Sequence, residues 1–209
     1  MSGFHRVKEG EHISLIAARN GFRDYRTVWD NAGNATLRQT RQNPNTLMPG
    51  DAVFVPDKTD RNEAAETGRR HVFFSHARHL MLRIVGLDVH RTAIVAASWT
   101  IQHEGGAASN VTTGAGLAET EIPVTARHGA LTLSGNVLEL DIGGLHPIED
   151  ESGCLQRLVN LGYLEGPPEE AAPAEIHSAV EEFECDQRLP LTGVCKGITR
   201  DALRDFHGC

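Results

Sequence analysis

The chain has 209 residues, of which 40% are hydrophobic and 23% charged, the composition of a folded globular protein and not of a disordered or fibrous one. Lys and Arg number 20 against 28 Asp and Glu, so the net charge of −8 repels phosphate backbones and argues against a nucleic-acid partner. No apolar stretch reaches the roughly 20 residues that cross a bilayer. The first residues also lack a signal-peptide core, so we expect synthesis in the cytoplasm without a signal peptide, and no membrane insertion.

Changes in composition along the chain predict three domains. Residues 58–70 are nearly free of large apolar side chains, and this predicts a linker. Near residues 143–147 a strand-rich pattern gives way to helical periodicity. The predicted domains are therefore residues 1–57, 71–145 and 146–209, and the predicted fold class is multidomain α+β.

The first domain shows the order strand, helix, helix, strand. The predicted strands lie at 5–8 and 52–55, and the predicted helices at 13–21 and 25–31. Residues 34–42, which are rich in Thr, Arg and Gln, are predicted to lengthen the connection to the last strand.

Three ordered motifs in this domain resemble a LysM module, the small βααβ domain that binds N-acetylglucosamine-containing glycans. They are Val-Lys-Glu-Gly-Glu-His-Ile-Ser at 7–14, the helix from Ile16 to Gly21, and the turn-rich run from Asn43 to Asp51 that leads into the strand. The resemblance implies a shallow sugar groove between two loops, although the same residue types also suit ordinary turns. The implied glycan-binding residues are Gly10, Glu11, His12 and Ile13 in the first loop and Asn43, Pro44, Asn45, Thr46 and Leu47 in the second.

The middle domain is predicted to be all-β. Its strand patterns lie at 80–84, 93–101, 119–123, 130–133 and 137–142. Short strands at this spacing predict a Greek-key sandwich, transthyretin-like or immunoglobulin-like, because two sheets are needed to bury both sets of inward side chains. The run Thr-Thr-Gly-Ala-Gly-Leu at 112–117 resembles a turn of transthyretin-like and carboxypeptidase-regulatory-like domains. That resemblance implies a spacer or an adhesive module.

Histidine is abundant, and three of the 11 histidines lie close together at His71, His76 and His79. On one strand, His71 and His79 point to the same face and His76 to the other, and no carboxylate stands at ligand spacing. We therefore predict no metal site and no cofactor.

The third domain is predicted to contain three helices. Its helical apolar patterns run from Cys154 to Tyr163, from Ile176 to Phe183 and from Ala202 to Phe206, with Thr199 as candidate N-cap of the last. Over residues 148–209 the order and spacing resemble the three-helix peptidoglycan-binding domain that accompanies many wall hydrolases. The apolar residues themselves belong to a core whatever the function.

All four cysteines fall in the last 56 residues, and none forms a CxxC pair. Their placement favours disulfides over zinc, and the chain reversal after the second helix predicts the pairs Cys185–Cys195 and Cys154–Cys209. The alternative is four reduced thiols, as in a cytosolic protein.

The order of the three domains resembles bacterial proteins associated with type VI secretion and related contractile injection systems. The chain shows no Gly-x-Ser-x-Gly elbow, zincin motif or phosphate loop, so no catalytic residue is predicted and the protein is not expected to be an enzyme. The resemblances imply a peptidoglycan-binding accessory protein of a secretion or tail-like assembly, delivered to the periplasm or cell envelope. The alternative is an adaptor of a spike or effector complex, whose domains bind protein and not glycan.

Overall fold

The computed structural model describes residues 2–59, 64, 66–72 and 79–209. It is a mixed α and β structure with several sheets. Part of the predicted linker, and His76 of the histidine group, lie outside the described residues. The strands are β1 Gly3–Arg6, β2 Ala52–Val55, β3 His79–Val85, β4 Ser98–His103, β5 Gly106–Val111, β6 Leu117–Pro123, β7 His128–Leu133 and β8 Asn136–Asp141. The α-helices are α1 Ile13–Arg19, α2 Arg26–Trp29, α3 Ala35–Thr40, α4 Glu151–Asn160, α5 Pro173–Asp186 and α6 Ile198–His207.

The chain divides into two compact units. The first comprises Met1–Phe4, Ile13–Asn31 and Phe54–Gly143, and the second comprises His5–His12, Ala32–Val53 and Gly144–Cys209. The bounds of the three predicted domains stay a prediction.

In the first unit, the helical segment predicted from residue 13 follows the predicted apolar spacing. Helix α1 buries the side chains of Ile13 and Ile16, and the chain leaves the helix at Gly21, whose φ of +77° is the left-handed conformation that a glycine adopts without strain. Helix α2 is shorter than predicted and buries Val28 and Trp29.

Strands β3 to β8 also belong to the first unit. Strands β3 and β6 pair antiparallel, and a second antiparallel sheet has the order β5-β4-β7-β8. Both sheets contribute to one core, because Ala118 of β6 packs with Trp99, Ile101 and Leu131 of the larger sheet. Alternate residues of these strands share a face, so the period-2 pattern of the sequence selects the side chains that are buried.

The sequence pattern misplaces the start of one strand in this unit and misses another strand. The strand predicted from residue 93 begins only at Ser98, because Ala96 has a φ of +52° and cannot continue a strand there. The hydroxyl of Thr112 donates to the Ile94 carbonyl oxygen (2.6 Å) and accepts from the Ala97 amide (3.0 Å), which holds this irregular stretch in place. Strand β5 was not predicted, since its small and polar residues are mostly exposed and show no apolar alternation.

In the second unit, the connection predicted at 34–42 is largely helical. A 3₁₀ turn at Ala32–Asn34 leads into α3, where Leu37 is the buried apolar residue. A single inward apolar side chain gives no periodic signal, so the sequence pattern could not reveal this helix.

In the last segment, helices α4, α5 and α6 lie where the sequence shows helical apolar patterns. Their shared core is centred on Leu158, Phe183 and Leu203, and Tyr163 meets Phe183 edge to face with ring centroids 5.4 Å apart. The predicted N-cap role of Thr199 is wrong, because α6 begins at Ile198 and Thr199 lies inside it.

A fully buried carboxylate connects α5 to the chain before α6. Glu184 accepts hydrogen bonds from the amide and hydroxyl of Thr192 (both 2.5 Å), the Gly193 amide (3.0 Å) and the Thr199 hydroxyl (2.6 Å). Burial by itself raises the pKa of Glu184, but these four bonds more than offset burial, and the pKa is lowered. The charged side chain therefore organises the loop that positions α6.

Candidate functional site

The first loop implied by the LysM resemblance is buried. Gly10, Glu11 and His12 are all buried, and Glu11 is only 4% exposed. Its Oε2 lies 2.6 Å from His5 Nε2 and accepts the Lys8 amide at 3.1 Å. Ile13, which belongs to the first unit, is fully buried in α1. The side chains of this loop are thus used in folding and are not presented to a ligand.

The second implied loop is a turn with one accessible side. The Asn43 side chain accepts the Asn45 amide (2.9 Å), and its carbonyl oxygen accepts the amide of Thr46 (3.2 Å). Thr46 and Leu47 are buried, whereas Asn43 and Pro44 are half-buried and Asn45 is exposed. A ligand can therefore reach the loop at residues 43–45.

Arg41 fixes this loop within the second unit. Its Nε and Nη2 donate to the two oxygens of Asp51 at 2.8 and 3.2 Å, and its Nη1 donates to Asp150 at 2.7 Å. The hydrogen bonds that Arg41 donates to Asp51 are the largest cause of a raised pKa of Arg41, against the opposing effect of burial. Since Asp51 follows the loop and Asp150 precedes α4, one guanidinium holds the loop against the last segment.

A pocket of about 410 Å³ lies beside the second loop, and all of its lining residues belong to the second unit. Its walls combine side-chain amides, a hydroxyl, charged groups and two apolar side chains. They are Gln42, Asn43, Pro44, Thr46, Ile148, Glu149, Arg157, Arg204, Asp205, Gly208 and Cys209. The pocket thus joins the loop that resembles a LysM sugar loop to the segment that resembles a peptidoglycan-binding domain.

A fully buried arginine forms one wall of the pocket. Arg157 donates from Nε to the Cys209 carbonyl oxygen (2.8 Å) and from Nη1 to the carbonyl oxygens of His146 (2.9 Å) and Gly153 (2.6 Å). Burial lowers the pKa of Arg157, but an arginine keeps its charge at neutral pH. Coulombic interactions with Cys209, Cys154 and Glu149 oppose this effect of burial.

A buried acceptor stands near this cation. The Oε1 atom of Glu149 is buried, and among the described residues it has no hydrogen-bond partner. Arg204, which also lines the pocket, reaches Gln42 Oε1 at 3.4 Å and Asp205 at 3.0 Å. A buried acceptor without a donor is costly, so Glu149 Oε1 lowers the stability of this region.

The four cysteines, all within the described residues, are free thiols. Neither predicted pair is joined: Cys185 is exposed, and Cys209 Sγ lies 3.1 Å from His207 Nδ1. Cys154 instead lies beside Cys195, whose carbonyl oxygen is 3.9 Å from its sulfur. The hydrogen bond between these two thiols, together with burial, raises the pKa of Cys195.

The described members of the histidine group are engaged separately. His71 Nε2 lies 2.9 Å from the carbonyl oxygen of Glu66, and His79 Nδ1 lies 3.7 Å from Glu121. Within the described ranges, no group of three His, Cys, Asp or Glu side chains is placed to hold a metal ion. Across the same ranges, no helix has both the length and the apolar character to span a bilayer.

Sequence reasoning missed the buried charges that shape this region. Arg157 lies three residues after Cys154, and Glu184 lies four residues after Val180, so each charge occupies the apolar face of its helix. A charged residue at a core position of a helical pattern is the signal that could have found both.

Comparison with known proteins gives no match: no family model, no curated protein and no solved structure matches this chain.

Proposed function

We propose that this protein is a non-enzymatic peptidoglycan-binding accessory protein linked to a bacterial secretion or tail-like assembly. The observation that carries the proposal is the pocket beside Asn43, Pro44 and Thr46 in the second unit. Its polar side chains suit the hydroxyl and N-acetyl groups of a sugar, while Pro44 and Ile148 can cover an apolar sugar face. We also propose the finer fold: a LysM-like module, a Greek-key sandwich and a peptidoglycan-binding-like helical domain.

The proposed glycan site differs from the groove implied by the LysM resemblance. The loop at 43–46 stays in it, but its second wall comes from residues of the last segment and not from the buried loop at 10–13. One pocket of this size, with few buried polar contacts to a sugar, supports weak affinity, in roughly the millimolar to micromolar range.

Sedimentation of the full chain with purified peptidoglycan sacculi, beside an unrelated polysaccharide, tests the proposal. The matched variants are Pro44→Glu, which adds a charged side chain in the pocket wall, and Gln39→Glu, which adds the same charge at an exposed position of the second unit outside the pocket. We expect Pro44→Glu to weaken binding to sacculi at least about fivefold, roughly 1 kcal/mol. Gln39→Glu should bind as the unmodified protein does. Equal losses in both variants, or no binding to sacculi at all, would contradict the proposal.

The proposed protein binds the wall without cleaving it. We expect chromatography of sacculi incubated with the purified protein to show no new soluble muropeptides. Release of muropeptides that disappears when one acidic residue is replaced would establish an enzyme instead.

The alternative is an adaptor of a spike or effector complex, and one observation favours it. The burial of Gly10–Ile13 removes one of the two loops that a LysM module would present to a sugar. An adaptor would fail to sediment with sacculi and would bind a purified spike or effector protein. Both glutamate variants are measured in parallel.

A further inference from the structure

Strand β8 forms one edge of the larger sheet of the first unit. The sheet has the order β5-β4-β7-β8, so among the described strands β8 pairs only with β7. Ser134 and Gly135 join the two strands in a tight turn, and their φ angles of +50° and +85° are those of a type I′ hairpin. In such a hairpin the closing pair, Leu133 and Asn136, is hydrogen-bonded, and bonded pairs alternate with non-bonded pairs along the ladder.

This register determines which backbone groups of β8 remain available. Asn136 and every second residue after it turn their amides and carbonyls toward β7. The amides and carbonyls of Val137, Glu139 and Asp141 therefore point away from β7, toward the open edge. Among the described backbone hydrogen bonds outside helices and sheets, none involves these three residues. A further strand can pair with this row of donors and acceptors.

The apolar core of the sheet also continues to this edge. Leu138 lies directly opposite Leu131, and paired residues share one face of the sheet. Leu131 is 3% exposed in the core, whereas Leu138 is 57% exposed, so the inward row of side chains is covered on β7 and uncovered on β8. Strand β8 has no lysine and no proline, the residues that commonly protect an edge strand from pairing. The edge therefore offers one more strand both backbone pairing and an apolar contact.

The opposite face of β8 is acidic. Val137, Glu139 and Asp141 alternate with the inward leucines, and all three are exposed. Across the ladder, His128 Nδ1 lies 3.7 Å from Asp141, and both of these side chains are exposed. The strand itself contains no basic residue. Two carboxylates beside the open edge favour a partner strand whose outward side chains are basic.

The same charges disfavour a second copy of the chain at this edge. In the antiparallel registers with the longest overlap, centred on Leu138 or on Glu139, Glu139 lies diagonal to or directly opposite its own copy. Like charges at these positions oppose pairing, and the net charge of −8 adds to the repulsion. The edge is thus better suited to a different, basic segment.

We propose that the open edge of β8 binds an extended segment of a partner protein in which apolar and basic residues alternate. The backbone of the segment pairs with Val137, Glu139 and Asp141. Its apolar side chains lie beside Leu138, and its basic side chains lie beside Glu139 and Asp141. This inference goes beyond the proposed peptidoglycan-binding function and does not depend on it, because the glycan pocket belongs to the second unit.

Two short synthetic peptides serve as probes for titration of the full chain. Lysine and valine alternate in the first peptide, and glutamate and valine alternate in the second. Fluorescence anisotropy of the labelled peptides gives the affinities, and amide hydrogen exchange locates the bound strand. We expect the lysine peptide to bind at least about fivefold more tightly, since its cross-strand pairs with Glu139 and Asp141 are attractive and those of the glutamate peptide are repulsive. The amides of Val137, Glu139 and Asp141 should exchange more slowly in the complex, because they then donate to the added strand.

Variants of the edge separate backbone pairing from charge. Val137→Pro removes an outward-pointing amide and leaves the bonds to β7 in place, whereas Val137→Thr keeps that amide and is the matched control. Glu139→Lys reverses one charge of the edge, and Glu104→Lys makes the same change in the exposed turn between β4 and β5. We expect Val137→Pro to weaken binding of the lysine peptide at least about fivefold, the effect of losing one hydrogen bond. Glu139→Lys should remove the advantage of the lysine peptide over the glutamate peptide, and both controls should bind as the unmodified protein does.

Several results would overturn the inference. One is absence of binding of the lysine peptide, and another is equal affinity for the two peptides that Glu139→Lys leaves unchanged. Slowed exchange confined to residues outside β8 would place the peptide elsewhere. A dimer in sedimentation velocity that Val137→Pro dissociates would make a second copy the occupant of the edge. If Val137→Pro lowers the melting temperature, the exchange data on the unmodified protein and the charge variants decide the question, since they do not rely on that variant.

Discussion

Replacement of Glu184 by Gln should destabilise the second unit. The carboxylate accepts four hydrogen bonds from three residues, and its side chain is fully buried. A glutamine keeps one acceptor oxygen for the amides of Thr192 and Gly193, and its NH₂ group would face the hydroxyls of Thr192 and Thr199, which now donate to the carboxylate. About two of the four bonds are then lost, each worth about 1.5–3 kcal/mol when the acceptor is charged. Because the neutral side chain no longer has an ionic desolvation cost, we expect a net loss of about 3 kcal/mol.

Urea denaturation followed by the helical circular dichroism signal measures this loss. With a slope of about 2 kcal/mol per molar urea, the midpoint should fall by about 1.5 M. The matched control is Glu170→Gln, which removes an exposed carboxylate from the same unit and should change stability by less than about 0.5 kcal/mol. A midpoint for Glu184→Gln that equals the midpoint of this control would refute the reasoning.

The pH dependence of the same pair gives an independent check. The pKa of Glu184 is lowered in the folded protein, so its contribution is fully present above the pKa of the unfolded chain, about 4.3. That contribution is lost as the pH falls through the lower, folded value. The stability difference between the unmodified protein and Glu184→Gln should therefore be constant near neutrality and shrink below about pH 4. A difference that grows on acidification would contradict a lowered pKa.

Three further changes probe the second unit. Arg41→Met removes the hydrogen bonds to Asp51 and Asp150 that hold the 43–47 loop. It should lower the free energy of unfolding by about 1–2 kcal/mol in urea titrations. This value is reduced because Asp150, which precedes α4, is half-exposed and its ion pair is screened by solvent. Gly153→Ala should lower the melting temperature, although alanine favours helices, because its Cβ would collide with the Pro147 carbonyl oxygen; a higher melting temperature would show that this contact relaxes. Oxidised glutathione should join Cys154 to Cys195, each sulfur losing a proton and the pair giving two electrons to reduce the glutathione disulfide to two thiols. Non-reducing peptide mapping identifies that link, and a different pairing would contradict the arrangement of the thiols.

Much of the secondary structure follows from local sequence pattern alone. The helices of the last segment and the strands at 130–133 and 137–142 were predicted because their apolar residues repeat with the period of the element that buries them. The helix end at Gly21 was predicted as well, since a left-handed residue is cheapest as glycine. Helix α3 and strand β5 have no such repeat, and both escaped prediction.

The candidate site depends on contacts between residues far apart in the chain. The sequence nominated Asn43, Pro44 and Thr46, but only the tertiary structure placed Glu149 and Arg157 around the same pocket and buried Glu11 away from it. The cysteines show the same limit, since pairing by chain reversal was outweighed by the packing that brings Cys154 beside Cys195. Periodicity indicates which face of a helix or strand is buried. The residues that contact this face are determined by how helices and loops pack, and this packing is not encoded locally in the sequence.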